Sequence, residues 1–464
     1  MMLQPWHWRS LPLDGRTGSQ VFSNLFLDRQ AGGIATLLES PNLSGDRCPP
    51  TARYSICAGA PRTYGGRQQV WTPPVGQIFP FLRDRAALGH SIPDDSAPAH
   101  LPFIGGWLGW LGYDLAWEIE RLPHLNADPL PFPVAYWYEP ECFAVLDLQR
   151  QDLWLAASDP AQLDELEAQL NRDDPQPAIR PEIPSPRPEF QLSPDDYKAI
   201  VQHAREYIRA GDIFQANLSL RFSAQTTDSS WEIYRSLQQI NPSPFASYWQ
   251  TPWGAVISCS PERLIALDRR QAETRPIAGT RSRGSDPEGD LQQERDLLTN
   301  RKERAEHIML VDLERNDLGR VCEWGSVRVN ELLAIERYSH VMHLVSNVIG
   351  TLHPQYDGVD LIRAMFPGGT ITGCPKVRCM EIIEELEPVR RNLFYGSCGY
   401  FDARGNLDLN IAIRTLLWAG TPENATVWGQ VGAGIVADSD PEREWHESID
   451  KARAQLTALS CPFP

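Results

Sequence analysis

The 464-residue chain has 42% hydrophobic and 22% charged residues, values typical of globular proteins with two or three domains. Its formal net charge is −17 and no basic cluster interrupts the acidic background, so neither nucleic acid nor an anionic membrane is an expected partner. There is no run of 18 apolar residues and no secretory signal pattern, and the nine scattered cysteines form no CxxC pair; these features predict a cytoplasmic protein with reduced thiols.

The first 170 residues carry short apolar runs separated by glycine and proline, which predict short strands. The most regular stretch is Leu101–Pro123, where glycines alternate with bulky aromatic side chains. Glycine lets two backbones approach closely, and aromatic rings supply buried area. We therefore predict an N-terminal domain over residues 1–170 with a tightly packed element at its centre.

A proline-rich segment follows at residues 171–194. Seven prolines between Pro175 and Pro194 exclude a helix or a central strand and predict an extended connector. The alternative is a surface loop inside one domain. We take the segment as the boundary between the N-terminal domain and a second domain over residues 195–460.

Helix and strand signals are clear beyond the connector. Ser193 and Pro194 predict the start of a helix that Gly211 ends. Two later helices are predicted from about Pro375 to Leu386 and from about Pro441 to Leu459. Strands are predicted at residues 255–258, 327–329, 399–402 and 409–417. Because helices and strands alternate without a βαβ order, we predict an α+β fold with a large antiparallel sheet system.

Two pairs of glutamates stand out because each pair is spaced i, i+3 on a predicted helix. Glu303 and Glu306 lie in the segment Arg301–Arg320, and Glu444 and Glu447 lie near the C-terminus. Residues at this spacing share one helix face. Carboxylates without sulfur or imidazole partners suit a hard divalent cation, for which Mg²⁺ is the best match. The alternative is two solvated helix faces.

Seven segments, in one order along the chain, resemble the chorismate-utilising enzymes, a family that includes anthranilate synthase component I, aminodeoxychorismate synthase component I and isochorismate synthase. The segments are SPERLI (Ser260–Ile265), RPIAGTRSRG (Arg275–Gly284), KERAEHIMLVDLERNDLGRV (Lys302–Val321), HVMHLVS (His340–Ser346), FPGGTITGCPKVRCMEIIEELEP (Phe366–Pro388), IAIRT (Ile411–Thr415) and GAGIVADSDPEREWHESIDKA (Gly432–Ala452). The resemblance covers the whole region after the connector and, more loosely, the N-terminal part. It implies large antiparallel sheets flanked by helices in two intimately packed subdomains, and activity on chorismate with Mg²⁺ as cofactor.

The resemblance assigns the four glutamates to the metal. The direct ligands of the family mostly match Glu306 and Glu447, whereas Glu303 and Glu444 match neighbours that reach the metal through water. The cation would hold the ring carboxylate of chorismate and help to activate the ring.

Three further residues match family positions that face the substrate. Glu262 matches an acid beside the departing C4 hydroxyl and would act as general acid, or else pair with Arg263. His343 matches a histidine near the same hydroxyl; its alternative is a satisfied core residue. Thr370 would hydrogen-bond the substrate, cap the following helix, or do both.

The carboxylates of chorismate also need cations and backbone donors. Arg414 is the best candidate for a two-bond clamp on the enolpyruvyl carboxylate, since an arginine between apolar strand residues would otherwise form a costly structural ion pair. Lys451 would neutralise substrate charge in the catalytic site, or merely pair with Glu447. The backbone N–H groups expected to receive the substrate belong to Gly432, Ala433 and Gly434.

Members of the family differ in product, and the sequence gives opposing signals. Where some aminodeoxychorismate synthases carry a lysine that adds covalently to C2, this chain has Ala278, which resembles anthranilate synthase. By contrast, Asn217, the loop GGTITG and the segment NPSPFASYW resemble the aminodeoxychorismate branch. We predict aminodeoxychorismate formation, with anthranilate formation as the alternative. Isochorismate or salicylate formation, or an inactive amino-acid-binding homologue, rank below both.

The resemblance also bears on partners. The chain has no glutaminase signature, so its ammonia would be free or delivered by a separate glutamine amidotransferase subunit in a heteromer. The segments LLES and RYS resemble a tryptophan-binding site of the family. The candidate residues of that amino-acid site are Ser40, Pro244 and Phe245.

Overall fold

The fold is that of a computed structural model, which describes residues 6–27, 32–40, 52–89, 97–171, 187–284, 286–337, 341–421 and 423–463. Most of the predicted connector, residues 172–186, lies outside these ranges, as does His340 at the start of one family segment. Within these ranges, no helix has the length and apolar character needed to cross a membrane.

The helices end where the sequence signals place them. In the described residues they are α1 (Gly18–Leu25), α2 (Ile78–Gly89), α3 (Ala116–Ile119), α4 (Pro160–Leu170), α5 (Pro194–Ala210), α6 (Ser230–Ile240), α7 (Pro287–Thr299), α8 (Arg301–Gly319), α9 (Gly358–Met365), α10 (Lys376–Leu386) and α11 (Pro441–Ala458). In α5 the Ser193 hydroxyl accepts a hydrogen bond from the backbone N–H of Asp196, and Gly211 ends the helix at φ 85°. The predicted bounds of α5, α10 and α11 are confirmed to within about a residue.

The strands are short and numerous. In chain order they are β1 (His7–Pro12), β2 (Ala35–Glu39), β3 (Tyr54–Ala58), β4 (Thr63–Tyr64), β5 (Arg67–Gln68), β6 (Val70–Trp71), β7 (Gly106–Leu111), β8 (Ala135–Tyr138), β9 (Cys142–Asp147), β10 (Asp152–Ala157), β11 (Glu189–Phe190), β12 (Gln215–Thr226), β13 (Phe245–Thr251), β14 (Gly254–Ser260), β15 (Arg263–Asp268), β16 (Gln271–Arg275), β17 (Ile277–Ser282), β18 (Arg328–Arg337), β19 (Val341–Thr351), β20 (Gly373–Cys374), β21 (Ser397–Asp402), β22 (Leu407–Asn410), β23 (Thr415–Thr421) and β24 (Asn424–Ile435).

These strands form two large antiparallel sheets and one separate hairpin of β4 and β5. Sheet I has 12 strands in the order β1-β10-β9-β3-β2-β13-β14-β23-β24-β12-β11, with β20 beside β12. Sheet II has ten strands in the order β17-β19-β16-β15-β22-β21-β7-β8-β6, with β18 beside β19. The predicted α+β fold with large antiparallel sheets flanked by helices is confirmed.

Strands from both sides of the connector contribute to each sheet. In sheet I, β2 pairs with β13, placing Leu37 opposite Tyr248. In sheet II, β7 pairs with β21, placing Gly109 opposite Gly399. A side chain at Gly109 would strike the backbone carbonyl of Tyr136, which explains the glycine at this position. The two regions therefore share one hydrogen-bonded framework.

An apolar core joins the two sheets. Trp110 of sheet II and Trp249 of sheet I are buried and meet edge to face, with ring centroids 6.0 Å apart. Tyr248, the neighbour of Trp249, belongs to a second core that packs the other face of sheet I against helices such as α5, α6 and α11. Successive residues of a strand point to opposite faces, so sheet I is covered on both sides.

Two of the places where the chain passes from one sheet to the other are neighbours in space. The first crossing, residues 261–262, joins β14 of sheet I to β15 of sheet II, and the second, residues 411–414, joins β22 of sheet II to β23 of sheet I. The single strand predicted over residues 409–417 is therefore wrong. Its apolar pattern continues through the second crossing, but the hydrogen-bonded partners change from one sheet to the other.

The two crossings are bonded to each other. The Ser260 hydroxyl donates to the carbonyl oxygen of Ile411 (2.6 Å), and the backbone N–H of Ile411 donates to the carbonyl oxygen of Glu262 (3.0 Å). The backbone N–H of Cys259 donates to the carbonyl oxygen of Arg414 (3.1 Å). These bonds hold Glu262 and Arg414 in a fixed relation.

Candidate active site

The predicted site residues come from segments that surround the two crossings. Glu262 and Arg414 lie on the crossings themselves. The others are Ala278 on β17, His343 on β19, Glu303 and Glu306 on α8, Thr370 in a short 3-10 turn (Gly369–Ile371), Gly432, Ala433 and Gly434 on β24, and Glu444, Glu447 and Lys451 on α11.

Glu262 is a buried acid on the first crossing. Its side chain is 4% exposed, and burial raises its pKa to about 8, assisted by the negative field of Glu314 and opposed by the Thr370 hydroxyl and the backbone N–H of Ile277. Glu262 and the adjacent Thr370 hydroxyl interact with each other, and Glu262 Oε1 and Thr370 Oγ1 are both buried. Because it is protonated at neutral pH, Glu262 can give a proton to a ligand that reaches it.

The structural alternatives for Glu262 and Thr370 were an ion pair with Arg263 and a helix cap, and neither is present among the described residues. Arg263 pairs with Asp408 (2.8 Å) and Glu273 (2.6 Å), not with Glu262. The residue that precedes α10 is Pro375, and no side chain caps that helix, so Thr370 has no capping role. Neither structural role therefore accounts for the two side chains, which makes them candidates for ligand binding.

His343 and Ala278 lie on neighbouring strands of sheet II. Ala278 is opposite Leu344, and Thr280 is opposite His343. His343 Nδ1 lies 3.0 Å from the Thr280 hydroxyl oxygen. Burial, together with the positive charge of Arg414, lowers the pKa of His343 to about 4. His343 is therefore a neutral imidazole near the guanidinium of the second crossing.

Arg414 is a shielded cation without an acidic partner. Its Nη1 donates to the carbonyl oxygen of Lys451 (3.1 Å), and in the part of the chain that the structure describes it forms no ion pair with a carboxylate. Burial lowers its pKa below the ordinary value for arginine, and Tyr395 lies near enough to oppose that shift. A guanidinium shielded in this way is complementary to an anionic ligand.

Lys451 connects α11 to the glycine-rich end of β24. Its Nζ donates to the carbonyl oxygen of Gly432 (3.0 Å) and pairs with Glu447 (2.9 Å). The predicted alternative, an i, i+4 pair between Lys451 and Glu447, is thus present, but the ammonium group reaches the Gly432–Gly434 segment as well. Glu447 is thereby brought close to the same segment.

Glu306 approaches that segment from α8. Gln215 Nε2 donates to Glu306 Oε1 (2.7 Å). A Cβ at Gly434 would overlap the Gln215 amide and lie 3.3 Å from Glu306 Oε1, so glycine is needed for α8 to approach β24 here. Helices α8 and α11 therefore each bring one carboxylate of the predicted metal set toward the end of β24.

The remaining two acids of that set have other neighbours. Glu303 Oε1 pairs with Arg281 (2.7 Å), while Glu303 Oε2 is buried without a hydrogen-bond partner. Glu444 is buried on α11 near Tyr197. Among the residues described, no three His, Cys, Asp or Glu side chains are grouped closely enough to hold a metal ion by themselves. The four glutamates are thus not gathered into one ready-made cluster.

The donor set nevertheless fits Mg²⁺. This ion is usually held by one or two carboxylates, several waters and an anionic substrate, and not by an all-protein cage. Glu306 and Glu447 are the two carboxylates at the end of β24, and the unsatisfied Glu303 Oε2 is an acceptor suited to a metal-bound water.

Three residues that act on this site were missed in the sequence. Gln215 orients Glu306, Tyr395 lies beside Arg414, and Glu314 raises the pKa of Glu262. The sequence did carry a signal for Glu314. It lies on the apolar stripe of α8 between Leu310 and Leu318, where an acid must be buried and therefore needs an explanation. Gln215 and Tyr395 carried no signal in a single sequence.

A second candidate site is a cavity of about 950 Å³ between β2, β13 and sheet II, whose wall includes Arg263 and Asn410, the neighbours of the two crossings. Ser40, Pro244 and Phe245, the predicted residues of an amino-acid site, all line it. The Ser40 hydroxyl donates to the carbonyl oxygen of Pro244 (2.5 Å). The three residues are therefore brought together in one cavity, whose wall also includes Glu39 and Arg53.

Glu262, His343 and Arg414 thus form a candidate site for a small anionic molecule, with Glu306 and Glu447 as candidate ligands of a hard cation. The chain belongs to the chorismate binding enzyme family, whose model matches residues 40–457. The resemblance found in the sequence is thereby confirmed, and the protein is a chorismate-utilising enzyme.

Similar proteins include members of two branches of this family. The chain is 60% identical over 462 residues to an "Anthranilate synthase component I-like protein" of Synechocystis sp., covering 99% of this chain and 93% of the relative. It is 47% identical to aminodeoxychorismate synthase component 1 of Bacillus subtilis, covering 80% and 78%. The crystal structure of anthranilate synthase component I from Streptococcus pneumoniae superposes with a TM-score of 0.74 at 32% identity, covering 89% and 95%.

Proposed function

We propose that the protein is an aminodeoxychorismate synthase component I, which converts chorismate and ammonia to 4-amino-4-deoxychorismate and water. The observation that carries the chorismate-aminating chemistry is the buried, protonated Glu262, held by backbone bonds to the crossing that bears the uncompensated Arg414, whereas the choice of product rests on sequence features. Acid and cation are the two groups needed to expel a hydroxyl from a dicarboxylate. The product would feed the synthesis of 4-aminobenzoate and folate.

Substrate binding falls to the cationic side of the site. Arg414 clamps the enolpyruvyl carboxylate, and Lys451 adds positive charge beside Gly432. The backbone N–H groups near Gly434 approach the same substrate without a side chain in the way. The Thr370 hydroxyl, which lies beside Glu262, bonds the ring hydroxyl.

The acid step uses Glu262. A nucleophile adds at C2, the ring double bond shifts, and the C4–O bond breaks while Glu262 protonates the departing oxygen, so that water leaves. Neutral His343 bonds the same hydroxyl without competing for its proton. The second addition, of ammonia at C4, expels the group that was added at C2, and the net reaction consumes one ammonia and releases one water.

Magnesium would be held by Glu306 and Glu447, with Glu303 and Glu444 bonding its waters. When bound, the ion supplies positive charge to the ring carboxylate of chorismate. Gln215 keeps the Glu306 carboxylate turned toward Gly434 through its 2.7 Å bond.

This assignment is tested by Glu306→Gln and Glu447→Gln, with Glu442→Gln, an exposed acid on α11, as the matched control. Each of the first two is expected to abolish Mg²⁺ binding in calorimetry and to lower turnover at least about 100-fold, with unchanged circular dichroism. Either variant retaining most of its Mg²⁺ affinity would contradict the ligand set.

The choice of aminodeoxychorismate as product is supported by Asn217, the GGTITG loop and the NPSPFASYW segment, and by the 47% identity to an aminodeoxychorismate synthase component 1. Asn217 Nδ2 donates to the carbonyl oxygen of Thr370 (3.2 Å), so it contributes directly to the loop that faces Glu262. Without a lysine at Ala278, ammonia or water serves as the C2 nucleophile.

The second candidate is anthranilate synthase component I, which is favoured by Ala278 and by the name of the 60% identical relative. In that case ammonia stays at C2 and pyruvate is eliminated. Both candidates share the acid step, the cationic clamp and the metal.

The product of chorismate, ammonium and Mg²⁺ separates the two candidates. Aminodeoxychorismate is expected, and it becomes 4-aminobenzoate only after a lyase is added. Fluorescent anthranilate forming without the lyase would establish the second candidate. If no chorismate is consumed, with ammonium or with a glutaminase subunit and glutamine, both candidates fail.

The ammonia donor is a separate glutamine amidotransferase subunit. Relatives of the chain are named component I or component 1, and the sequence carries no glutaminase signature of its own. Glutamine-dependent turnover is expected only when such a subunit is added, whereas ammonium-dependent turnover needs the chain alone.

The cavity between β2, β13 and sheet II binds an amino acid with an aromatic side chain, such as tryptophan, at Ser40, Pro244 and Phe245. Calorimetry with tryptophan tests this, and Phe245→Ala is expected to weaken binding. An absence of heat at millimolar tryptophan would contradict the assignment.

A further inference from the structure

Glu314 is a buried acid that the proposed chemistry does not use. It lies two turns of α8 beyond Glu306, and its side chain is only 4% exposed. The helix buries Val311 and Leu318 on the same face, so an apolar residue would pack there without the cost of desolvating a carboxyl group. The presence of a carboxyl group at such a position therefore needs an explanation.

The contacts of Glu314 lead to the turn that carries Thr370. The Thr274 hydroxyl on β16 donates to Glu314 Oε2 (3.2 Å), and the backbone N–H of Gly369 bonds the same carboxyl group. A Cβ at Gly369 would overlap the side chain of Leu313 and lie 3.4 Å from Glu314 Oε1. Helix α8 therefore packs directly on the turn, and Glu314 is its polar anchor.

The charges around Glu314 leave it without a direct cationic partner among the described residues. Lys376 on α10 pairs with Asp317 (2.5 Å) and opposes the effect of that acid on Glu314 only from a distance. Arg320 lies near Asp317 as well. On the other side stands Glu262, the acid of the first crossing, on which Glu314 acts through space.

Two buried carboxyl groups that act on each other cannot both ionise readily. Burial and Asp317 raise the pKa of Glu314 to about 7, and the pKa of Glu262 lies higher, at about 8. When the pair loses its first proton, the charge falls on Glu314, because its pKa is the lower of the two and Lys376 favours its ionised form, and Glu262 keeps its proton.

We propose that Glu314 is a positioning residue for the acid step, which anchors the turn bearing Thr370 and keeps Glu262 in its protonated form. The inference rests on the proposed function for the use made of that proton, but the coupling of the two carboxyl groups is a property of the fold. The sequence segment that holds Glu314 thus serves the metal at one end of α8 and the acid at the other.

The test compares Glu314→Gln with Asp312→Asn, an exposed acid on the same helix. In Glu314→Gln the alkaline midpoint of the pH profile for chorismate consumption is expected to fall by about one pH unit, a tenfold change in the proton affinity of Glu262. KM for chorismate rises as the Thr370 turn loosens. Asp312→Asn keeps the wild-type midpoint.

A second readout does not depend on turnover. The infrared band of the protonated Glu262 carboxyl, identified by its loss in Glu262→Gln, can be titrated in each variant, and its midpoint is expected to fall in Glu314→Gln by the same amount. Should Glu314→Gln fail to fold, Thr274→Val replaces it. Loss of the Thr274 hydroxyl raises the pH at which Glu314 ionises. The titration midpoint of Glu262 is then expected to fall, as in Glu314→Gln, but by a smaller amount.

The outcomes are distinct. Wild-type midpoints in Glu314→Gln, by both rate and infrared titration, would overturn the inference and leave the proposed function standing. A wild-type protein that consumes no chorismate would overturn the proposed function, while the infrared titration would still decide whether Glu314 controls Glu262.

Discussion

Glu262 and Arg414 owe their properties to being shielded without a partner of opposite charge. Glu262 is neutral because its burial is not offset by a cation, and Arg414 is charged although no described carboxylate compensates it. A buried carboxyl group and a shielded guanidinium without partners of opposite charge both cost free energy when no substrate is bound. A twice-negative substrate with a hydroxyl to expel relieves both at once.

The pH dependence of turnover follows from Glu262. Its pKa is raised from 4.5 to about 8, so the acid keeps its proton below pH 8 and loses it above. Chorismate consumption is expected to fall as the pH rises through about 8, measured as initial rates at saturating Mg²⁺.

Glu262→Gln should lower kcat by roughly 10²- to 10⁴-fold and abolish this alkaline limb. The exposed Glu288→Gln is the control. An unchanged alkaline limb in Glu262→Gln would show that another group supplies the proton.

Arg414→Lys keeps the charge but loses the two-bond geometry. Hydrogen bonds to charged groups contribute about 1.5–3 kcal/mol, so KM for chorismate should rise about 10- to 100-fold with a smaller effect on kcat. Steady-state kinetics measures this, and Arg453→Lys, in an exposed pair with Asp450, should behave as wild type. A wild-type KM would place the enolpyruvyl carboxylate elsewhere.

At residue level, sequence motifs identified side chains but not their bonds. Glu262 was recognised from its motif, but the sequence did not show that Arg263 pairs with the distant Asp408 and not with Glu262. Gln215 was missed because a glutamine in a strand has no distinctive pattern, and its bond to Glu306 joins residues 91 positions apart.

At the level of elements, the end of β24 is where helices α8 and α11 meet the candidate active site. Strand β24 leads into α11 through the loop before Pro441, and its glycines leave space for α8. The helices were predictable because capping and apolar periodicity are local signals. The second crossing was not predictable, since only the exchange of sheet partners distinguishes it from a continuous strand.

Gly434→Ala tests the approach of α8 to β24. The added methyl group overlaps the Gln215 amide, so Glu306 should shift and the Mg²⁺ concentration for half-maximal activity should rise about tenfold. Gly319→Ala, at the end of α8, meets nothing within 4 Å and should leave that concentration unchanged. Equal Mg²⁺ dependence in both variants would contradict the assignment of Glu306.

For the whole molecule, the important feature is that neither large sheet can be completed by residues on one side of the connector. The composition of the proline-rich segment predicted a domain boundary there. Composition is a local property, however, and it cannot show which distant strands pair in a sheet. Strands β2 and β7 lie inside the sheets, next to β13 and β21, and not at free edges.

Removal of residues 1–186 should therefore prevent folding. A fragment of residues 187–464 would expose the edges of β13 and β21, and we expect it to be insoluble or to lack a cooperative thermal transition in circular dichroism. Coexpression with residues 1–171 should restore solubility. A soluble, cooperatively unfolding fragment on its own would contradict the interleaved framework.

The bonded pair of crossings also bears on how such enzymes diverge. A change in one crossing disturbs the other, so the proposed substrate anchor Arg414 and the proposed proton donor Glu262 are constrained together, whereas Ala278, the second residue of β17, lies outside these bonds. The residue at position 278 can therefore vary between enzymes of this family without altering the geometry of the two crossings.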